Sequence, residues 1–202
     1  MAPHVADELP GLGISWLEVD SRPGRSPEPV RLRLRTLSDR FYGAHAVHLR
    51  EQSIPWAYRV FFRQIGLDPD HTRTPVEQLA LDRLHDGAFV SRGMPGDALT
   101  IAIAETGVAL RAFDADLLEG PLCIRGSAPG ESLPGKPAAL ERETLTIADE
   151  SGPVELLFGG AGERRPDRGT RRVSIVAVQV KGVPEVAVDE ALWIASSTLE
   201  AS

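Results

Sequence analysis

The apolar positions change period several times along the chain, and each change predicts an element. Residues 11–19 place Ile14, Trp16 and Val19 in an extended run and read as a first strand. A connection rich in Pro, Arg and Ser follows from Ser21 to Pro29. Val30-Arg31-Leu32-Arg33-Leu34-Arg35 repeats with period two, which predicts a strand with one dry face and one arginine-studded face. Residues 37–51 predict a helix. A second helix opens at Pro55 and runs to Ile65, with Tyr58, Phe61, Phe62 and Ile65 at helical spacing and Gly66 as its stop. Thr74-Pro75-Val76-Glu77 is a helix start, with Thr at the N-cap, Pro at the first position and Glu at the third. That helix runs to His85 and stops at Gly87. Residues 97–106 predict another, closed by Gly107. The pattern then turns to strands over 109–114, 121–127, 144–148, 153–158 and 172–181, separated by Gly and Pro turns. An amphipathic helix after Pro184, from Val186 to Leu199, ends the series.

Strands, then helices, then a long run of strands and a last helix describe an α+β chain with mixed or antiparallel sheets and flanking helices, not alternating βαβ units. With 202 residues and no internal repeat, one domain over 1–202 is expected, residues 1–50 included.

Composition narrows the chemistry. Apolar residues make up 42% and charged residues 25%, as in an ordinary globular protein. Cys123 is the lone cysteine, which excludes an intrachain disulfide and a cysteine-based zinc site. No stretch is long and apolar enough for a membrane span, and the first residues lack the pattern of a signal peptide, so a cytoplasmic location and no membrane partner are expected. The net charge of −7 argues against a general nucleic-acid binder, and no DNA partner is expected. The charge is uneven, however. Residues 22–63 hold nine Arg against three acids, so a basic segment is joined to an acidic body and is able to touch phosphates locally.

Conventional motifs are missing. There is no dinucleotide or phosphate-loop glycine pattern and no Gly-x-Ser-x-Gly elbow, and the Gly-rich segments 93–96 and 159–162 read as turns. Among His4, His45, His48, His71 and His85, only His45 and His48 are close, and they lack the Cys or acidic partners of a metal site. No metal and no cofactor are expected.

The order of short motifs from residue 97 to 182 resembles the editing domain of the bacterial phenylalanyl-tRNA synthetase beta subunit. The motifs are Asp97, Arg111-Ala112-Phe113-Asp114 with Asp116, Glu119-Gly120, Ile124-Arg125, Gly130-Glu131, Glu143-Thr144 through Asp149, Leu157-Phe158-Gly159-Gly160 and Thr170-Arg171-Arg172-Val173. Upstream, Phe62 through Pro69 and Arg73 through Glu77 resemble freestanding members of the family. The resemblance implies a trans-editing deacylase that hydrolyses the ester of a mischarged tRNA, with the tRNA acceptor end as partner and the amino-acid moiety in a pocket. It also implies catalysis without a Ser-His-Asp triad, by a water that backbone groups position and the terminal ribose hydroxyl assists.

On that resemblance, Arg111, Thr106, Gly159 and Gly160 are the candidate catalytic positions. Asp97, Glu105, Asp114 and Phe158 would line the substrate pocket, whose carboxylates favour a cationic, arginine-like amino acid such as canavanine. Arg63, Arg73, Arg171 and Arg172 would hold tRNA, with Arg164, Arg165 and Arg168 crowding the same loop as the last two. The chain departs from the synthetase pattern where Arg111 replaces a His and where Val176 replaces a Glu that recognises tyrosine, so tyrosine is not the expected substrate. Each candidate also has a plainer reading. Asp97 suits a helix N-cap, Thr106 a helix end, Arg111 an ion pair with Asp114 or Asp116, and Arg125 and Glu131 a structural pair. A module that binds amino acids or tRNA ends without turnover is the alternative on the same fold, and a plain interaction domain is a third.

Overall fold

A computed structural model of the chain describes residues 3–43, 48–159 and 162–201. Its centre is a strand that is dry on both faces. Val173, Ser174, Ile175, Val176, Ala177 and Val178 are all buried in β6 (Arg172–Gln179), which explains why this segment reads as a continuous apolar run and not as an alternation. β6 lies between β1 (Gly13–Asp20) and β2 (Ala109–Asp114), both antiparallel to it, so β2 forms an edge. A second antiparallel sheet has the order β3 (Cys123–Gly126), β4 (Leu145–Asp149), β5 (Gly152–Leu156), and β5 is its edge.

Six helices among the described residues flank the sheets: α1 (Pro3–Glu8), α2 (Glu28–Arg40), α3 (Ser53–Gln64), α4 (Pro75–Asp86), α5 (Gly96–Thr106) and α6 (Glu185–Glu200). α6 covers β6 and β1 and packs on α5, which in turn touches α2, α4 and β2. The expected α+β class is observed, with two small antiparallel sheets. None of the described helices is long and apolar enough to cross a membrane.

Local chemistry accounts for the element ends. At the start of α4 the Glu77 carboxylate accepts the Thr74 N–H at 3.2 Å and its hydroxyl at 2.7 Å, a closed capping box. α5 stops because Gly107 turns left-handed at φ 76°, a conformation that a side chain resists.

One element differs in kind. Residues 30–35 are not a strand but the middle of α2. Over six residues Leu-Arg alternation fits either period. Leu37 decides it, because Val30, Leu34 and Leu37 are buried at i, i+4 and i+7 while Leu32 is exposed. Leu and Arg are good helix formers, and Glu28 pairs with both Arg31 and Arg35 along the helix. The helix expected at 37–51 overlaps α2 only as far as Arg40, and residues 44–47, with His45, lie outside the described residues.

Candidate functional site

The two edge strands β2 and β5 approach each other between the sheets, and each contributes one charged side chain to the gap. Arg111 on β2 stands opposite Val176 in register, donates from Nη1 to the Leu110 carbonyl at 3.0 Å, and is one-fifth exposed, at 20%. Its Nε lies 4.0 Å from Oε1 of Glu155 on β5, whose side chain is 1% exposed. Arg165 Nη2 is 3.7 Å from the same oxygen. Both separations exceed a charge-assisted hydrogen bond, and among the described residues Oε1 accepts none.

A buried carboxylate held this loosely is costly in its charged form. Burial therefore pushes the Glu155 carboxyl up, against the pull of Arg111, Arg165 and the Gly162 N–H. Burial likewise pulls Arg111 down from its ordinary value, opposed by Glu155. Two ionisable groups shifted away from their charged forms and facing one another across the gap make this pair the candidate site.

The chain that covers Glu155 explains its burial. After β5 it folds back across the strand edge, and a Cβ on Gly162 would come within 2.9 Å of the Val154 carbonyl. A Cβ on Gly159 would come within 2.7 Å of the Leu156 side chain, so the corner needs bare backbone there. Gly160 lies outside the described residues. Further on, the Arg164 carbonyl accepts the Asp114 N–H at 2.9 Å, and its guanidinium pairs with Asp149, so the loop runs along the β2 edge.

Phe158 holds the corner to α3. Its ring meets Phe62 at 4.7 Å, Phe61 at 5.9 Å and Tyr58 at 6.1 Å. Tyr58 is itself buried, donating to the Val178 carbonyl at 2.5 Å and accepting the Ala109 N–H at 3.0 Å, so α3 is pinned to both β6 and β2. On the outer side of Leu156 and Phe158 lies a hollow of about 510 Å³, with Leu145, Glu8, Glu141 and Glu143 in its wall and no Lys or Arg among its lining residues. Glu143 takes an ion pair with Arg142 at 3.5 Å.

The other sequence candidates have duties elsewhere. Asp97 is buried and accepts from Ser26 Oγ at 2.6 Å, Ser91 Oγ at 2.5 Å and the Arg92 N–H at 2.7 Å. It sits inside α5 after Pro95, which holds the N-cap position, and ties two loops together. Asp97→Ala is expected to lower the unfolding free energy by about 1–3 kcal/mol in urea denaturation, because the buried Ser26 hydroxyl and two part-buried donors, the Ser91 hydroxyl and the Arg92 N–H, lose one acceptor. An unmoved midpoint would mean the loops are held by something else. Glu105 forms a forked pair with Arg33 at 3.1 and 2.6 Å. Asp114 accepts Thr170 Oγ1 at 2.5 Å and the Asp116 N–H at 3.0 Å. The Thr106 hydroxyl donates to the Ala102 carbonyl at 2.7 Å, closing α5.

Of the arginines, Arg63 lies 5.7 Å over Trp56, Arg73 reaches Asp70 at 3.5 Å, and Arg172 pairs with Asp116 at 2.7 Å and Glu18 at 3.0 Å. Arg125 and Glu131 form a forked pair at 2.6 and 2.7 Å. Arg171 is exposed and has no ion pair among the described residues. The structure thus brings Arg111 to Glu155, on the strand that leads into the Phe158–Gly159 corner, while the carboxylates of Asp97, Glu105 and Asp114 are taken up by other partners. Glu155 escaped the sequence reading. Its signal was a single acid inside the otherwise apolar run Pro153 to Phe158.

About half of the chain is related to part of the phenylalanine–tRNA ligase beta subunit. The identity is 35% over 113 residues with that subunit from Xanthomonas euvesicatoria pv. vesicatoria, covering 54% of this chain and 14% of that protein. It is 40% over 100 residues with the subunit from Neisseria meningitidis serogroup A, covering 47% and 13%. A third, from Xanthomonas oryzae pv. oryzae, is 36% identical over 104 residues, covering 49% and 13%. The matched region is therefore a small fraction of each relative's length. No family model matches the chain.

Proposed function

We propose that this chain is an aminoacyl-tRNA deacylase, hydrolysing the ester of a mischarged tRNA at the corner formed by Glu155, Arg111 and the Phe158–Gly159 turn. The observation that carries the reading is the Glu155 carboxylate, buried, raised in pKa and facing two guanidinium groups, with one oxygen that accepts no hydrogen bond among the described residues. In its ionised form Glu155 accepts a proton from the attacking water. Arg111 and Arg165 face the negative charge that develops on the ester carbonyl oxygen. The carbon–oxygen bond to the ribose breaks, the proton passes to the leaving ribose oxygen, and free amino acid and uncharged tRNA leave. The relatives' identity as subunits of a tRNA ligase supports a tRNA ester as substrate.

For the amino acid, the acid-walled hollow beside Phe158 suits a cationic side chain and disfavours an anionic one. An arginine-like amino acid such as canavanine fits it. The test is release of labelled amino acid from a panel of tRNAs carrying canavanine, arginine, lysine, phenylalanine or tyrosine. Cleavage of a cationic ester well above the buffer rate, with tyrosine the poorest, is the expected result. If no ester in the panel is cleaved faster than in buffer, the deacylase reading fails. The deep burial of Glu155 favours one rival, a binding module without turnover. Calorimetric binding of the same amino acids with no hydrolysis would select that rival.

A further inference from the structure

We infer that Arg22, Arg25, Arg168 and Arg171 form a grip for the sugar–phosphate backbone of an RNA strand, built from residues other than those of the Glu155 corner. The choice of RNA over other polyanions rests on the proposed deacylase reading; the grip itself rests on how the arginines of this chain are paired.

The chain is acidic, with 29 acids against 22 Lys and Arg, so an exposed guanidinium has many carboxylates to choose from. Most arginines find one. Arg31 and Arg35 pair with Glu28, Arg33 with Glu105, Arg125 with Glu131, Arg164 with Asp149 and Arg172 with Asp116 and Glu18. Arg22, Arg25, Arg168 and Arg171 are exposed and have no carboxylate partner among the described residues. These four line two open, neighbouring hollows of about 660 and 930 Å³ that share Arg25 and Met94 in their walls, together called the trough. Asp20 and Glu200 also line the first hollow and Asp167 the second, and Asp167 accepts the Gly169 N–H at 2.6 Å. The hydroxyl of Ser21, a residue 9% exposed in the wall of the first hollow, has no hydrogen-bond partner among the described residues.

The loops that present these arginines are fixed at their bases. Gly24 and Met94 exchange both backbone hydrogen bonds, at 3.3 and 2.8 Å, so loop 22–26 is stitched to loop 91–94. Close approach enforces that seam, since a Cβ on Gly93 would lie 2.4 Å from the Gly24 carbonyl. Asp97 clamps the same two loops from below through Ser26, Ser91 and the Arg92 N–H. Asp114 holds the base of the other loop through Thr170, and the Ser21 N–H donates to the Arg171 carbonyl at 2.9 Å. Guanidinium groups on tethered loops lose less freedom on binding than arginines on a floppy tail, and a row of them matches spaced phosphates better than a single small anion.

The test is binding of uncharged tRNA, followed by fluorescence anisotropy across a salt series. Because no ester is present, the result is independent of hydrolysis. The double variant Arg25→Gln with Arg168→Gln is compared with Lys136→Gln with Lys181→Gln, which removes the same charge outside the trough. The trough variant is expected to bind roughly tenfold or more weakly and to lose about 0.7–0.9 of the log–log salt slope for each phosphate contact removed, while the lysine variant keeps the wild-type slope. Circular dichroism melting of both variants checks that they fold. Equal weakening in both variants, or wild-type binding in the trough variant, overturns the grip. Equally tight, arginine-dependent binding of polyglutamate overturns the assignment to RNA. Cleavage of a minimal aminoacyl-adenosine without any tRNA binding would sink the grip and leave the deacylase. Arginine-dependent tRNA binding without hydrolysis of any ester would do the reverse.

Discussion

Glu155→Gln is expected to slow ester hydrolysis by about 100- to 10,000-fold, the range of a lost general base, while the protein melts at the same temperature or higher. Glutamine keeps the shape of the side chain and one acceptor oxygen but removes a buried charge whose nearest cations stand 3.7 and 4.0 Å away. A carboxylate so placed is costly to the fold, and neutralising it relieves that cost. The two readouts separate catalysis from architecture. If the variant melts several degrees lower and still hydrolyses ester, Glu155 is a strut between the sheets and the catalytic assignment is wrong.

The pH dependence follows from the raised pKa of Glu155. The ionised form is the base, so the rate should fall as pH drops through a midpoint above the ordinary carboxylate range. Stability runs the other way. A carboxyl raised in the folded state stabilises the fold below its unfolded pKa, and that contribution is lost as pH rises through the folded value. Wild type should therefore lose stability relative to Glu155→Gln on going from acidic to neutral pH. A gap that does not change with pH would mean the carboxyl is not raised.

The second large effect is on stability. Phe62→Ala should lower the unfolding free energy by about 3–5 kcal/mol, as full truncation of a buried aromatic does. Phe62 is 1% exposed and its ring is 4.7 Å from that of Phe158. Removing it opens a void under the Phe158–Gly159 corner and releases the turn that lies next to Glu155. Activity at a temperature where the variant is still folded should consequently fall as well. Chemical denaturation at constant m-value measures the first effect and hydrolysis assays the second. A variant within about 1 kcal/mol of wild type, against that expected range, would show that the aromatic cluster does not hold the corner.

Several features were legible along the chain because they depend on neighbours within a few residues. Thr74-Pro75-Val76-Glu77 carries its own capping box, and Glu77 closes it. Tyr58, Phe61 and Phe62 were placed on one helical face by spacing alone, and that face is buried. Gly107 marks the end of α5 because only a residue without Cβ is comfortable at its φ of 76°. The strand expected over 172–181 is observed as β6, and its central position comes from the structure.

The reading failed where a short pattern fits two periods or where the partner is remote. Residues 30–35 satisfied both a strand and a helix, and only the burial of Leu37 beside Val30 and Leu34 separates them. Asp97, Glu105 and Asp114 were grouped by motif order, yet each has its own partners, in Ser26, Arg33 and Thr170. Motif order records which residues accompany one another along the chain, and the choice among nearby cations and hydroxyls is made across the fold.

By itself the sequence determined the α+β class, most of the strand and helix positions and the basic bias of the segment from 22 to 63. Those properties come from side-chain period, turn chemistry and charge, which act locally. Only the tertiary structure decided that Glu155 meets Arg111 across two sheet edges, and that Arg22, Arg25, Arg168 and Arg171 line neighbouring hollows with no ion-pair partner among the described residues. Burial and pairing set the chemistry of a charged group, and both depend on residues the chain brings in from far away.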